Sequence, residues 1–437
     1  MKRLTIITTM LLYAGLSRAQ DTLSTRVLTL KEVMELSEKN STQLKVVEKN
    51  TELAKQKVEI AKLYQLPDLG AQLSHGYLSN TDIWTPSFDK HQKGKNPHQF
   101  AQFTIQASQV LFAGGKISNE IKKTDIEAQV AFLVQEKNTQ DIKFLAAAQY
   151  LDIYRMINLR QVYASNAKLA EERLKNIQVM RKQGMVTEND VLRSKLILSD
   201  LNLSVRKTEN NIAILNRQLN MLTGRPDNAS LLPDSAMLKN FPSAGSLEGW
   251  LDTALNRNHE LKILANENRV AEANVKIAGA DRYPALAAFA GSNLQRPFTY
   301  TIPSVDVYYN VWQAGLTLKY NISSIYQAPR KIRAAKLAAE QSIQKETLQK
   351  QQVNVEVSSR FIKYREADDE RQTLESDLKA AEETYRIVEK KYFNQLALLT
   401  DLVDATSTKI EAEIKVSTAR INMVYTYLQL QKSVGTL

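Results

Sequence analysis

The 437-residue chain contains no cysteine. A disulfide framework is excluded, and so is a lipid anchor carried on an N-terminal cysteine. Glycine and proline are scarce, at 14 and 10 residues. Long stretches therefore run without a breaker, which favours long helices. His75, His91, His98 and His259 are the only histidines. Their spacing is not that of a metal site, so neither a metal nor a cofactor is expected. No phosphate-cradling glycine loop and no nucleophile elbow occurs, so no catalytic constellation emerges and an enzyme is not expected. After the first residues no apolar run reaches the length of a membrane-spanning helix, and a membrane could be crossed only as a closed β-barrel.

The start of the chain reads as a secretory signal. Lys2 and Arg3 precede an apolar stretch, Leu4 to Leu16, and Ser17-Arg18-Ala19 supplies small residues at the −3 and −1 positions. Residues 1–19 are expected to be removed, which lowers the formal charge from +11 to about +8. That excess is spread along the chain, with no basic block interleaved with aromatics, so nucleic acid is not an expected partner.

An internal duplication organises what remains. Residues 30–71 and 247–288 align without a gap. Leu44, Lys45, Ala54, Val58, Ile60, Ala61, Pro67 and Leu69 recur as Leu261, Lys262, Ala271, Val275, Ile277, Ala278, Pro284 and Leu286. The first repeat is expected over 20–222, a linker over 223–246, and the second repeat over 247–437. In the first, a helix from Leu30 is stopped by Pro67; in the second, Pro284 plays that part. Segments of strand period follow, at about 68–80 and 101–113, then at about 285–296 and 307–322. Each is long enough to cross a bilayer when tilted, and Tyr77, Phe103, Tyr308, Tyr309, Trp312 and Tyr320 lie near segment ends, where interfacial aromatics gather. Half-buried hairpins on a soluble domain would show the same alternation.

Breaker-free stretches run from about Lys116 to Gln183 and from Lys331 to Asn394. Each predicts a helix of about 100 Å, too long to fold into a compact globule. The return helix of the first repeat carries a heptad through Val191, Ser194, Leu198, Leu201, Val205, Thr208, Ile212, Leu215, Leu219 and Leu222. The last helix has two apolar stripes: Ile410, Ile414, Ile421, Val424 and Leu428, and separately Val416, Ala419, Met423 and Leu430. Neighbours are expected on both sides, as in the wall of a tube.

Three stretches resemble the outer-membrane efflux protein family typified by TolC. Val110-Leu111-Phe112-Ala113-Gly114-Gly115-Lys116 is similar to its strand-to-helix junction. Gly184-Met185-Val186-Thr187-Glu188-Asn189-Asp190 is similar to its first tip turn (about 183–191), and Thr400-Asp401-Leu402-Val403-Asp404 to its second (about 394–402). The likeness spans the mature chain. It implies a mainly α fold with transmembrane β structure. A homotrimer would contribute four strands per protomer to a twelve-stranded barrel, continued by a periplasmic α-helical barrel. The function implied is the outer-membrane exit duct of a tripartite efflux pump or type I secretion system. Outer-membrane lipid, a periplasmic adaptor and an inner-membrane transporter would be its partners.

The resemblance also assigns Asp401 and Asp404 to a channel constriction, and Asp190 with Tyr392 to a latch at the tip. Two aspartates at i and i+3 share a helix face, and around a three-fold axis would form an acidic ring. The residues also admit a local reading: Thr400 as an N-cap with acids in the first turn, and Thr187 with Asp190 as a capping box. The second repeat departs from the pattern. Ile322-Ser323-Ser324 stands where Phe112-Ala113-Gly114 stands in the first, Gln395 replaces the glycine represented by Gly184, and Ala397 occupies the place of a basic residue. His91 and His98 share a loop with Lys90, Lys93 and Lys95. This is either a solvated loop or an outward loop touching anionic surface sugars. A soluble periplasmic coiled-coil adaptor is the alternative to the duct, and would carry one helical hairpin rather than two.

Overall fold

The structure is a computed structural model and describes residues 26–234, 243 and 245–437. The expected signal peptide and part of the expected linker lie outside the described residues. The elements run β1 (Arg26–Leu28), α1 (Leu30–Asn40), α2 (Thr42–Leu63), β2 (Asp68–Tyr77), β3 (Thr81–Trp84), β4 (His91–Gly94), β5 (Gln99–Phe112), α3 (Lys116–Lys182) and α4 (Glu188–Thr223). They continue as β6 (Leu231–Pro233), α5 (Leu247–Arg257), α6 (His259–Ala280), β7 (Ala285–Arg296), β8 (Tyr309–Lys319), α7 (Ser324–Phe393) and α8 (Leu399–Val434). The chain divides into a strand-bearing unit, Glu48–Gln135 with His259–Gln351, and a helical unit containing the rest.

The repeat is visible in the breaks as well as in the elements. A single helix was expected from Leu30 to Pro67, but the structure splits it at Ser41, and splits its counterpart at Asn258. The two break residues have φ of −58° and −59° and ψ of 121° and 122°. Each leaves the helical ψ with its N–H still closing the last turn, onto Ser37 and Ala254 respectively, and Asn258 Nδ2 donates across to the Ser433 carbonyl of α8 (2.9 Å).

In the strand-bearing unit, β2, β5, β7 and β8 form one antiparallel sheet in that order, so the two repeats meet at β5 and β7. The register decides which side chains share a face. Leu73, Phe103 and Leu294 lie in one cross-strand row, and Ala107, Ala290 and Ala314 in another. With Leu69, Trp312, Leu316 and Leu318 they make one face apolar, and Leu73 and Trp312 are each 76% exposed. The opposite face carries Gln72, Gln102, Thr104, Asn293 and Gln313, and there Gln102 and Thr104 both donate to Asn293 Oδ1 (3.2 and 3.0 Å). An apolar outer face over a polar inner one is the pattern of a barrel wall in lipid.

Glycine is required where β5 turns into α3. Gly114 has φ of +61°, and a Cβ there would stand 2.8 Å from the Ala280 carbonyl oxygen, with Phe112 edge-on to Tyr283 nearby. Gly115, at φ +80°, completes the turn. The second repeat makes this corner by other means. The Ser324 N–H donates to the Asn321 carbonyl and the Ser323 N–H to Asn321 Oδ1. Pro67 and Pro284 stand between the helix ends and the first residues of β2 and β7.

The helical unit centres on a cluster of Leu28, Val33, Ala146, Tyr150, Ile153, Leu219, Leu231, Ile421, Val424 and Leu428. One stripe of α8 enters it; the other supplies Met423 to a second cluster with Tyr364 and Ala367. The segment expected as a linker contributes β6, which pairs in parallel with β1. The Tyr150 hydroxyl donates to the Leu28 carbonyl (2.7 Å) and accepts the Asp234 N–H (2.8 Å). Asn216 and Asn220 are buried on α4 because β6 and its approach need partners. Asn216 Oδ1 accepts the Leu231 N–H (3.0 Å), and Asn220 Nδ2 donates to the Ala229 carbonyl (2.8 Å).

Candidate functional site: the helical tip turns

In both repeats a long helix ends, reverses and starts a 36-residue helix. The two reversals share one hydrogen-bond pattern. Gly184 N–H donates to the Arg181 carbonyl and Met185 N–H to that of Met180; Gln395 N–H donates to Tyr392 and Leu396 N–H to Lys391. This is a left-handed helix stop. Gly184 and Gln395 hold its positive φ, +76° and +64°. Glycine does so freely, whereas a side chain such as that of Gln395 costs about 1–2 kcal/mol.

The stop fixes where the next helix begins. In the first repeat Thr187 is the N-cap, with a complete capping box. Its N–H donates to Asp190 Oδ2 (2.8 Å), and the Asp190 N–H donates to Thr187 Oγ1 (3.3 Å). In the second repeat Leu398 occupies the N-cap position, and its N–H donates to Asp401 Oδ2 (2.9 Å). Thr400 is therefore not the cap considered from the sequence; it lies in the first turn of α8, because the stop at Gln395 starts that helix earlier. Leucine has no acceptor to return, so the second box is half made.

The four residues assigned to constriction and latch fall at these turns. Asp401 and Asp404 are exposed on successive turns of α8. The Asp404 carboxylate makes no hydrogen bond or ion pair among the described residues. Tyr392 is buried, 5% exposed, in a cluster with Ile177, Val191, Tyr385, Leu399 and Leu402. Its hydroxyl has no hydrogen-bond partner among the described residues. Burial raises its pKa above the ordinary tyrosine value, and the charge of Asp190 adds to the shift. Asp190 is thus near enough to be felt, but its carboxylate is bonded to Thr187; no hydrogen bond joins it to Tyr392.

The residue that sequence reasoning missed is Arg173, which is 7% exposed. Its Nη1 donates to Thr406 Oγ1 (3.1 Å) and its Nη2 to the Tyr385 hydroxyl (2.8 Å); that hydroxyl donates to Glu389. Lys409 lies 4.8 Å from the Tyr385 ring centroid and pairs with Glu413 (3.4 Å), which accepts from Asn166 (2.9 Å). A polar seam therefore joins α3 to α7 and α8 where an apolar one would pack as well. Its signal was present: Asn166, Ala170, Arg173 and Ile177 are spaced four, three and four, which puts two polar side chains on a heptad seam.

Among the described residues no group of acidic or histidine side chains could hold a metal ion, and no helix is long and apolar enough to cross a membrane. Residues 250–436, nearly the whole second repeat, match the outer membrane efflux protein family. Among solved structures, the outer-membrane channel OprN superposes with a TM-score of 0.76 at 16% identity, covering 93% of this chain and 90% of that one. The outer membrane protein VceC of Vibrio cholerae gives 0.77 at 14% identity, with coverages of 93% and 96%. The Campylobacter jejuni CmeC outer membrane channel gives 0.74 at 13%, with coverages of 93% and 85%. No curated protein matches the chain. The fold is that of an outer-membrane efflux channel protomer, and nothing in it favours the adaptor alternative.

Proposed function

We propose that the chain is the exit duct of a tripartite efflux or secretion assembly, a passive channel built from three copies. The observation that carries this is the sheet, whose four strands leave β2 and β8 as open edges and whose apolar face is exposed. Four strands cannot close, and an open edge is not tolerated in lipid. Three copies joined β8 to β2 make a twelve-stranded barrel, within the range of membrane barrels. The adaptor and the inner-membrane transporter would act on the periplasmic tips, where Asp401 and Asp404 would narrow the channel and Asp190 would latch to Tyr392 by exchanging its bond to Thr187. The test is fractionation with crosslinking. The chain should sediment with outer membranes and run as a trimer, and cysteines placed singly along β2 and β8 should couple between copies. A stable monomer in detergent-free buffer would refute the duct.

A further inference from the structure

We propose that the outward face of the β3–β4 hairpin docks the phosphorylated saccharide headgroups of outer-leaflet glycolipid. The inference rests on the duct reading, which puts this loop outside the cell. Residues 78–98 leave the sheet at the end opposite α2 and α3, as do residues 297–308 in the second repeat.

The hairpin has two chemically distinct faces. Its register pairs Thr81 with Gly94, Asp82 with Lys93, Ile83 with Gln92 and Trp84 with His91. Thr81, Ile83 and Gly94 face the second loop. A Cβ on Gly94 would stand 3.4 Å from Ile302 Cγ2 and 3.6 Å from Ile83 Cδ1. Ser304 Oγ donates to Asn96 Oδ1 beside them (2.8 Å). The other face presents Asp82, Trp84, His91 and Lys93. Trp84 lies over His91 at 4.4 Å between ring centroids and near Phe88 at 6.2 Å. Phe88 is 74% exposed and has φ of +60°. A bulky side chain in the left-handed region is strained, and a small residue would sit there without leaving an aromatic ring in water.

Asp82 bonds His91 Nε2 (2.7 Å). Asp89 accepts from the hydroxyls of Ser87 and Thr85, which hold its carboxyl below the ordinary aspartate value. In the second loop Asp306 is bidentate with Arg296 (2.7 and 2.9 Å). Lys90, Lys93 and Lys95 form no ion pair among the described residues. The acids are each held by hydrogen bonds within the loops, while the three ammoniums are unpaired and Lys93 shares the face of Trp84. Ammoniums bind phosphate as point charges, and an aromatic face covers the apolar face of a sugar ring. Free phosphate would leave the aromatics unused, and an apolar protein partner would leave the lysines unused. Lipid-borne sugar phosphate uses both.

The experiment takes the full chain in detergent and measures binding to micelles of rough-type lipopolysaccharide, to the same material dephosphorylated, and to phosphatidylglycerol vesicles. Each lysine near an anionic lipid surface contributes roughly fivefold. Replacing Lys90, Lys93 and Lys95 by Gln should weaken binding about a hundredfold at low salt, and Lys93→Gln alone about fivefold. Trp84→Ala should weaken binding to lipopolysaccharide while sparing phosphatidylglycerol. Equal binding of the dephosphorylated material, equal binding of phosphatidylglycerol, or indifference to the lysine changes overturns the proposal. Trimer formation and outer-membrane fractionation, scored on each variant, report separately on the duct reading and on folding.

Discussion

Asp401 and Asp404 are one turn apart, yet only Asp401 closes a helix cap, so single substitutions separate capping from conduction. Asp401→Ala removes a 2.9 Å charge-assisted bond to the Leu398 N–H. No other side chain caps that helix, since Leu398 makes no side-chain cap bond. A lost cap together with a lost favourable charge at the helix N-terminus destabilises the first turn of α8 by about 1–2 kcal/mol. Amide exchange in that turn should then accelerate roughly 5–30-fold by native-state hydrogen exchange. Asp404→Ala removes no such bond and should change those amides less than about twofold. Asp401→Asn keeps an acceptor oxygen while losing the charge, and should exchange at a rate nearer the parent's. In single-channel recordings the order differs. If both carboxylates line a three-fold axis, Asp401→Ala, Asp401→Asn and Asp404→Ala should all raise conductance and reduce cation preference. Equal exchange in Asp401→Ala and Asp404→Ala would sink the capping argument. Unchanged selectivity in all three would sink the acidic constriction.

Arg173→Ala should lower the stability of the helical unit by about 1–3 kcal/mol, because the Tyr385 and Thr406 hydroxyls lose a buried charged donor; Arg173→Met with Glu389→Gln should recover most of the loss in thermal melts. Gly435→Ala should cost more than Gly184→Ala. Both have positive φ, but a Cβ at 435 meets the Arg257 carbonyl oxygen at 2.6 Å, while nothing lies within 4 Å at 184. Comparing midpoints of denaturation tests the order, and equal losses would mean that the close approach is absent. Glu375 is held below the ordinary glutamate value first by its hydrogen bond from Arg420. Its contribution is therefore present above the unfolded value of about 4.3 and lost as pH falls through the lower folded value; Glu375→Gln should flatten that part of the acid unfolding curve. A cysteine pair replacing Asp190 and Tyr392 should crosslink if the two approach as a latch, and failure under oxidation would exclude that geometry.

The sequence showed the architecture through its long-range regularities. A gapless repeat, two breaker-free stretches and alternation in four segments do not depend on individual contacts, and the fold follows them. What it hid was local competition. Ser41 and Asn258 break helices because ψ changes at one residue, and periodicity does not register a single residue. The helix start at Leu398 was misplaced onto Thr400 because capping preference favours threonine, while the stop at Gln395 decides the register. Arg173 is not legible from its neighbours, since its role depends on Tyr385, Glu389 and Thr406, more than two hundred residues away. The hairpin β3–β4 lies in a polar stretch with no strand period to reveal it.

The pairing of β1 with β6 bears on the order of assembly. β1 is among the first described residues, and its partner Leu231–Pro233 follows about two hundred residues later. Closing so long a segment costs only slightly more than closing a short one, but it must wait for the chain. The cluster beneath that pair also draws Ile421, Val424 and Leu428 from the last helix. Its apolar surface therefore stays uncovered until α8 has been delivered. A chain exported end first would cross the periplasm with that surface open, in need of a holding chaperone and vulnerable to proteases. Loss of the last turns of α8 would prolong that exposure indefinitely, whatever the state of the strands.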